Sequence, residues 1–141
     1  MKKYLLDTHI IAWFLTENKR LNENIEYNIR YFQSDFYVSI EALHEIITLQ
    51  EVKKDKFELA SGIEQIAQLL KNHNIKILPI EIRHLKTLEK LSVPTINGKE
   101  HHDPSDRIMI AQAISEKMIL VSNDEKFPFY KDRGFNLLEN V

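Results

Sequence analysis

Short apolar runs alternate with longer helical patterns along most of the chain. Runs rich in aliphatic and aromatic side chains predict five strands, at residues 3–6, 36–39, 75–80, 118–122 and 135–141. Apolar positions that recur every three or four residues predict helices at residues 8–15, 22–33, 39–53, 56–72, 81–92 and 103–117. Strands that alternate with helices favour an α/β fold, in which a mostly parallel sheet is covered on both faces.

The longest interruption of this pattern is the segment "SVPTINGKEHH" at residues 92–102. It contains Pro94 and Gly98 and predicts an exposed loop. Parallel sheets covered by helices bind their ligands beyond the carboxyl ends of the strands. We therefore expect the functional residues to lie just after the predicted strands.

The amino-acid composition excludes several classes of protein but does not identify a function. A chain of 141 residues with 43% hydrophobic and 28% charged residues fits one soluble domain, residues 1–141, with no membrane association. The absence of cysteine excludes thiol catalysis and thiolate metal sites, and a cytoplasmic location is the expectation. With a net charge of -2, the chain has no overall positive charge that would attract nucleic acid, so any such binding must depend on a local cluster of basic residues.

Acidic residues follow several of the predicted strands. Asp7 comes directly after the first strand, and Asp124 lies two residues past the run "MILVS". Ser39 ends the second strand and begins the helix that carries Glu41 and Glu45. Glu45 borders the apolar arc of that helix, whereas Glu41 lies further toward solvent, so Glu45 is the better ligand candidate and Glu41 a supporting one.

The segment "DPSD" at residues 103–106 has two compatible interpretations. An aspartate followed by a proline and a second acid is typical of a helix start, where Asp103 caps the helix and Pro104 takes its first position. Asp106 then projects from the first turn and is free to act as a ligand. We therefore expect Asp103 to be the cap and Asp106 the ligand.

These positions bring four acids, Asp7, Glu45, Asp106 and Asp124, toward one edge of the sheet. Carboxylates so close together repel, and some must be protonated unless a cation is present. Ligands made only of oxygen suit Mg²⁺ or Mn²⁺. The chemistry that needs such a site is phosphodiester hydrolysis by an activated water molecule.

Several neighbouring residues have both structural and functional interpretations. Thr8 and His9 flank Asp7 and are placed to orient it. Arg107 is expected in a structural ion pair, with a phosphate contact as the alternative. His101 and His102 are expected to face solvent, with contacts to substrate phosphate or to the carboxylates as the alternative. The aromatic residues at 13, 14, 27, 31 and 32 are expected in the core, and any that are exposed would suit a partner helix or a second copy of the chain.

Four motifs in the chain resemble those of PIN-domain proteins, in particular the VapC-type toxin endoribonucleases of bacterial toxin-antitoxin pairs. They are "YLLDTHIIAWFL" at residues 4–15, "VSIEALHEI" at 38–46, "HHDPSDRIMIAQA" at 101–113 and "LVSNDEKFPFY" at 120–130. The chain departs from the family pattern at Ser105, where an aromatic residue is usual, and at Ser122, where many relatives have threonine.

The resemblance implies a fold, an activity and partners. It implies a three-layer α/β/α fold whose parallel sheet has strand order 3-2-1-4-5. It also implies that Asp7, Glu45, Asp106 and Asp124 hold Mg²⁺ or Mn²⁺ with support from Ser122, and that the substrate is RNA. The implied partners are a cognate antitoxin protein and a second copy of the chain.

Two other functions remain open from the sequence. The first is phosphotransfer on an aspartate at the sheet edge, although Asp7 is followed by "THII" rather than by a second aspartate. The second is a PIN-like module that binds proteins with weak or no catalysis. The three glycines of the chain exclude a P-loop and a dinucleotide fingerprint, so a nucleotide cofactor is not expected.

Overall fold

The structure is a computed structural model that describes residues 2–31, 35–53, 57 and 59–141. None of the helices in these ranges is long and apolar enough to cross a membrane. The first half of the chain contains β1 Lys3–Leu6, α1 Thr8–Leu15, α2 Glu23–Tyr31, β2 Asp35–Ser39, α3 Ile40–Val52, α4 Ile63–Asn72 and β3 Ile75–Leu78. The second half contains α5 Ile82–Lys90, β4 Thr95–Ile96, β5 Lys99–Glu100, α6 Pro104–Glu116, β6 Ile119–Ser122, a 3-10 helix at Phe127–Arg133 and β7 Asn136–Glu139.

Five parallel strands form the central sheet in the order β3-β2-β1-β6-β7. Counted along the chain without the short β4 and β5, this is the order 3-2-1-4-5 that the resemblance implied. Leu6 at the end of β1 pairs with Val38 of β2 and with Val121 of β6. The register therefore brings the ends of these three strands to one level, and the residues that follow them to one edge.

Helices cover both faces of the sheet over its central strands β2, β1 and β6, whereas the edge strands β3 and β7 are partly exposed. Leu6 and Val38 join a core with Ile25 of α2 and Ile46 of α3. Leu5, the preceding residue of β1, faces the opposite side and belongs to a second core that includes the 3-10 helix. The predicted three-layer α/β fold is confirmed.

The helix predicted at residues 56–72 begins later, at Ile63. Leu59 is buried in an irregular segment before it, and the side-chain amide of Gln50 donates to the carbonyls of Leu59 and Ser61. These side-chain bonds replace the bonds that a helix would have supplied to the same carbonyls. Residues 54–56 and 58 lie outside the described part of the chain, as do residues 32 and 33 at the end of the helix predicted at 22–33.

The segment predicted as an exposed loop at residues 92–102 contains a small hairpin. β4 and β5 pair antiparallel, and Asn97 and Gly98 between them have φ angles of +52° and +78°. Two positive φ angles in a two-residue loop are the signature of a tight hairpin turn, and Asn-Gly is the sequence that favours it. The backbone N–H of His101 continues the pairing by donating to the carbonyl of Pro94 at 3.0 Å.

Candidate active site

The four acids singled out in the sequence line a single cavity of about 760 Å³ at the carboxyl edge of the sheet. Asp7 follows β1, Asp124 follows β6, Glu45 lies on α3 and Asp106 on α6. They come from four separate elements because the parallel strands end together at this edge. Their convergence is a fact of the structure, while their role as ligands stays a prediction.

Asp7 is the most tightly held of the four. It caps α1 through Oδ1, which accepts the backbone N–H of Thr8 at 2.8 Å, and Oδ2 accepts the hydroxyl of Ser122 at 2.7 Å. The side chain is buried, and burial raises its pKa from 3.8 to about 7. The two hydrogen bonds oppose this rise, and the negative charges of Glu45 and Asp124 add to it.

Ser122 connects two of the acids. Its hydroxyl donates to Asp7 and accepts the backbone N–H of Asp124 at 3.0 Å. One buried hydroxyl thus fixes Asp7 directly and places the backbone of Asp124. Thr8, which was expected to orient Asp7, contacts it through the backbone N–H, while its buried hydroxyl has no hydrogen-bond partner among the described residues.

Asp103 and Asp106 divide the roles of cap and candidate ligand as predicted for the helix start. Asp103 caps α6 by accepting the backbone N–H of Asp106 at 3.0 Å, with Pro104 at the first turn. Asp106 is buried and lines the cavity. Burial, followed by the charges of Asp103 and Asp124, raises the pKa of Asp106 from 3.8 to about 8.

His101 is buried, with 8% of its surface exposed, so the prediction of a solvent-facing histidine was wrong. Its Nε2 lies 3.2 Å from Oδ2 of Asp106, and its Nδ1 lies 2.7 Å from the hydroxyl of Tyr130. The backbone bond from His101 to Pro94 turns the end of the hairpin inward and accounts for this position. Burial also lowers the pKa of His101, which favours its neutral form.

Arg107 forms no ion pair with an acid of the described residues, contrary to our expectation. It donates to the carbonyl of Leu91 at 2.8 Å and to the Tyr130 oxygen at 3.2 Å. A guanidinium only donates, so the Tyr130 oxygen accepts from it. We assign the Tyr130 hydrogen to Nδ1 of His101, which at 2.7 Å is the nearer acceptor. The other acceptor near that hydroxyl, the His101 carbonyl, is further away at 3.4 Å.

These hydrogen bonds form a chain in which each residue donates to the next, from Arg107 through Tyr130 and His101 to the candidate ligand Asp106. With Nδ1 of His101 accepting from Tyr130, the ring proton sits on Nε2 and donates to Oδ2 of Asp106. We call these three residues, Arg107, Tyr130 and His101, the donor chain. It holds one oxygen of Asp106 in place and leaves the other unengaged by the chain.

Glu41 and His102 are among the residues named from the sequence that lie outside the cavity lining. Glu41 accepts the hydroxyl of Ser105 at 2.7 Å and contacts His44. Ser105 thus bonds to α3 at the position where relatives usually carry an aromatic residue. His102 is exposed and pairs with Glu100 at 3.3 Å, so neither Glu41 nor His102 is placed as a ligand.

The cavity also contains residues that sequence reasoning missed. Lys126 lines it, although no basic residue was expected among the acids. Ile96 and Asn97 of the hairpin and Phe129 of the 3-10 helix form another part of its wall. The Asn-Gly pair was a usable signal for the hairpin, whereas nothing in the sequence placed Phe129 beside the acids.

The carboxylate oxygens of the four acids suit a divalent cation that keeps part of its water shell. The described residues contain no preformed group of three or more acidic or histidine side chains close enough to hold a metal ion. Mg²⁺ in proteins is commonly bound through one or two carboxylates and several waters, so a closed cage is not required. Burial, to which the charges of neighbouring acids add, raises the pKa values of Asp7 and Asp106, so both carboxyl groups favour a proton or a nearby cation.

Comparison with known proteins assigns the family. The sequence matches the PIN domain over residues 4–132, which is nearly the whole chain. The chain belongs to the PIN-domain family. Its recognition as a PIN-domain protein from four motifs is confirmed, while a comparison with curated protein sequences gives no match.

Solved structures share the fold of this PIN domain along their full length. A chain of the DNA-bound VapBC structure from Salmonella typhimurium has a TM-score of 0.66 at 17% identity, with 100% of both chains covered. VapBC2 from Rickettsia felis, bound to a DNA fragment from its promoter, gives 0.63 at 18% identity, covering 96% of this chain and 97% of the other. VapBC-1 from nontypeable Haemophilus influenzae gives 0.62 at 17% identity, with 96% of both chains covered.

Proposed function

We propose that this PIN-domain chain is a Mg²⁺- or Mn²⁺-dependent endoribonuclease and the toxin of a toxin-antitoxin pair. The observation that carries the proposal is the convergence of Asp7, Glu45, Asp106 and Asp124, from four elements, on one cavity. The raised pKa values of Asp7 and Asp106 support it, because burial and, after it, the neighbouring acids disfavour their charged forms unless a cation is near. The VapBC structures that share this fold support the narrower assignment to a VapC-type toxin.

Each part of the cavity has a role in this chemistry. A bound divalent cation supplies charge neutralisation at the phosphate and lowers the pKa of the attacking water. Ser122 orients Asp7 and Asp124, and the donor chain orients Asp106. Water attacks phosphorus and the bond to the 3′ oxygen breaks, which leaves a 5′-phosphate and a 3′-hydroxyl. No nucleophilic side chain of the protein takes part.

A cleavage assay on purified protein tests the proposal. We expect RNA to be cut in the presence of Mn²⁺ and to stay intact with a chelator. Asp7→Asn removes a carboxylate charge and should abolish cleavage, while Asp132→Asn, whose side chain is 80% exposed, should cleave as the wild type does. Full activity of Asp7→Asn would refute the assignment of the site.

The same preparation separates the two alternative functions. A phosphotransfer domain would take up label from a small phosphoryl donor at Asp7, and RNA would stay intact. A protein-binding module would neither take up label nor cut RNA. In the structure both oxygens of Asp7 already accept hydrogen bonds, from Thr8 and Ser122, which favours a fixed ligand over a nucleophile.

The proposed partners are a cognate antitoxin and a second copy of the chain, and the proposed location is the cytoplasm. Tyr27 and Tyr31 of α2 support a protein contact, because they are 54% and 66% exposed on one helix face. Trp13 and Phe14 are instead partly or fully buried, as expected for core residues, and Phe32 lies outside the described residues. Light scattering of the purified chain, alone and co-expressed with its antitoxin, tests both partners.

A further inference from the structure

Phe129 is an exposed aromatic ring in the wall of an acidic cavity. The 3-10 helix has three residues per turn, so Phe127 and Tyr130 share one face and are both fully buried in the core. Phe129 falls on another face, is 47% exposed and lines the cavity with the four acids. The ring is therefore free to contact a ligand that reaches those acids.

The hairpin adds a second wall to the same cavity. Ile96 and Asn97 line it, and the tight turn at Asn97 and Gly98 fixes the tip. The base of the hairpin is attached to the site, since His101 donates its backbone N–H to Pro94 while its ring contacts Asp106. The tip is thus held at a defined place relative to the candidate ligands.

The lining also offers unengaged hydrogen-bonding groups. Asn97 and Asn123 are exposed side chains of the cavity, and neither forms a side-chain hydrogen bond with another of the described residues. An amide presents donors and an acceptor in one plane, which matches the edge of a nucleobase. An aromatic face beside free amides combines stacking with recognition of a base edge.

We propose that Phe129, Ile96 and Asn97 form a binding site for one unpaired RNA base next to the scissile phosphate. This inference rests on the nuclease function proposed above and names the part of the substrate that the cavity selects. The base stacks on Phe129, and its edge meets the amides of Asn97 and Asn123. The base must be unpaired, because its face and edge are both covered inside a duplex. RNA is favoured over a protein side chain because the same cavity would hold the cation that takes up the phosphate.

A scan with abasic nucleotides tests the site directly. A single-stranded RNA that the wild type cuts is first found in a random pool, and the cut is mapped by sequencing. Abasic residues are then placed one at a time along that RNA. In the wild type we expect one abasic position beside the cut to lower kcat/KM by about 5-fold to 150-fold, the range for loss of one stacked base, mainly through KM.

Variants of Phe129 test whether its ring causes the loss of kcat/KM at the abasic position. Phe129→Ala should lose activity on the intact RNA by a similar factor and show almost no further loss at that abasic position. Phe129→Trp should restore the wild-type pattern, while Phe129→Leu, apolar but without a ring face, should not. Ile82→Ala, at an exposed apolar residue of α5 outside the cavity, serves as the control and should resemble the wild type.

Two results would overturn the base-binding site. One is a flat abasic scan in an active wild type, and the other is the same abasic loss in Phe129→Ala as in the wild type. Either result would leave Phe129 to a protein partner and would leave the nuclease function intact. Failure of the wild type to cut any RNA in the pool with Mn²⁺ would instead refute the nuclease function itself, and the base-binding site with it.

Discussion

Asp7→Asn should make the metal-free protein more stable at neutral and alkaline pH. The carboxyl group of Asp7 is buried, and its pKa rises from 3.8 to about 7 because its charged form is poorly solvated. Asparagine has the same shape without the charge, is a favoured N-cap residue and keeps an oxygen for the N–H of Thr8. The substitution removes an unfavourable charge, and it replaces the oxygen that accepts from Ser122 with an amide NH₂ group, so that hydrogen bond must reverse or be lost.

The magnitude follows from the two pKa values. Between pH 3.8 and about 7 the folded protein keeps a proton on Asp7 that the unfolded chain has lost, so its free energy of unfolding falls as pH rises. The gain from Asp7→Asn is therefore near zero at pH 4 and grows by about 1.4 kcal/mol per pH unit. Above the folded pKa of about 7 it levels off at about 4 kcal/mol, an upper value because the neighbouring acids relax as well.

Urea unfolding in the presence of a chelator, at a series of pH values, measures this difference. Asp132→Asn, at an exposed position, is the matched control and should follow the wild type at every pH. Addition of Mn²⁺ should stabilise the wild type and leave Asp7→Asn nearly unchanged. An Asp7→Asn variant that is equally or less stable than the wild type at pH 8 in chelator would show that the buried charge of Asp7 does not destabilise the folded protein. The reasoning would then fail.

Three further predictions concern the support of the acids and the protons on them. Ser122→Ala removes the bonds to Asp7 and to the Asp124 backbone and should weaken Mn²⁺ binding about 10- to 100-fold, measured by electron paramagnetic resonance. Tyr130→Phe leaves Nδ1 of His101 without its donor and should lower stability by about 1–3 kcal/mol in urea unfolding. Mn²⁺ affinity should rise from pH 6 to pH 8 in titration calorimetry, because Asp7 and Asp106, with pKa values of about 7 and 8, must first lose protons; a flat profile would contradict those pKa values.

The sheet and the meeting of the acids could be predicted because both follow from local patterns. Apolar runs marked the strands, and the parallel arrangement put residues after β1 and β6 at one edge. Asp103 was predicted correctly as the helix cap because capping has a fixed chemistry at a helix start, although it also lines the cavity with Asp106. Residues next to a strand end or a helix start were thus within reach of sequence reasoning.

Contacts between distant segments could not be predicted in the same way. His101 is buried against Tyr130 of the 3-10 helix, which also accepts from Arg107 of α6, and no local pattern predicts these contacts. The predicted start of α4 was wrong because the side chain of Gln50 in α3 binds the carbonyls of Leu59 and Ser61, a contact that apolar periodicity does not indicate. Phe127 and Phe129 are the same residue type two positions apart, so the sequence does not tell them apart. Only the three-residue turn of the 3-10 helix places Phe127 in the core and Phe129 on an exposed face.

The central claim is that four carboxylates from separate elements hold one catalytic cation site. Anomalous diffraction from crystals grown with Mn²⁺ tests it most directly. The account predicts a manganese peak in the cavity lined by Asp7, Glu45, Asp106 and Asp124, and its loss in Asp7→Asn crystals. A cavity without a peak in crystals of active wild-type protein, or a peak elsewhere on the chain, would contradict it.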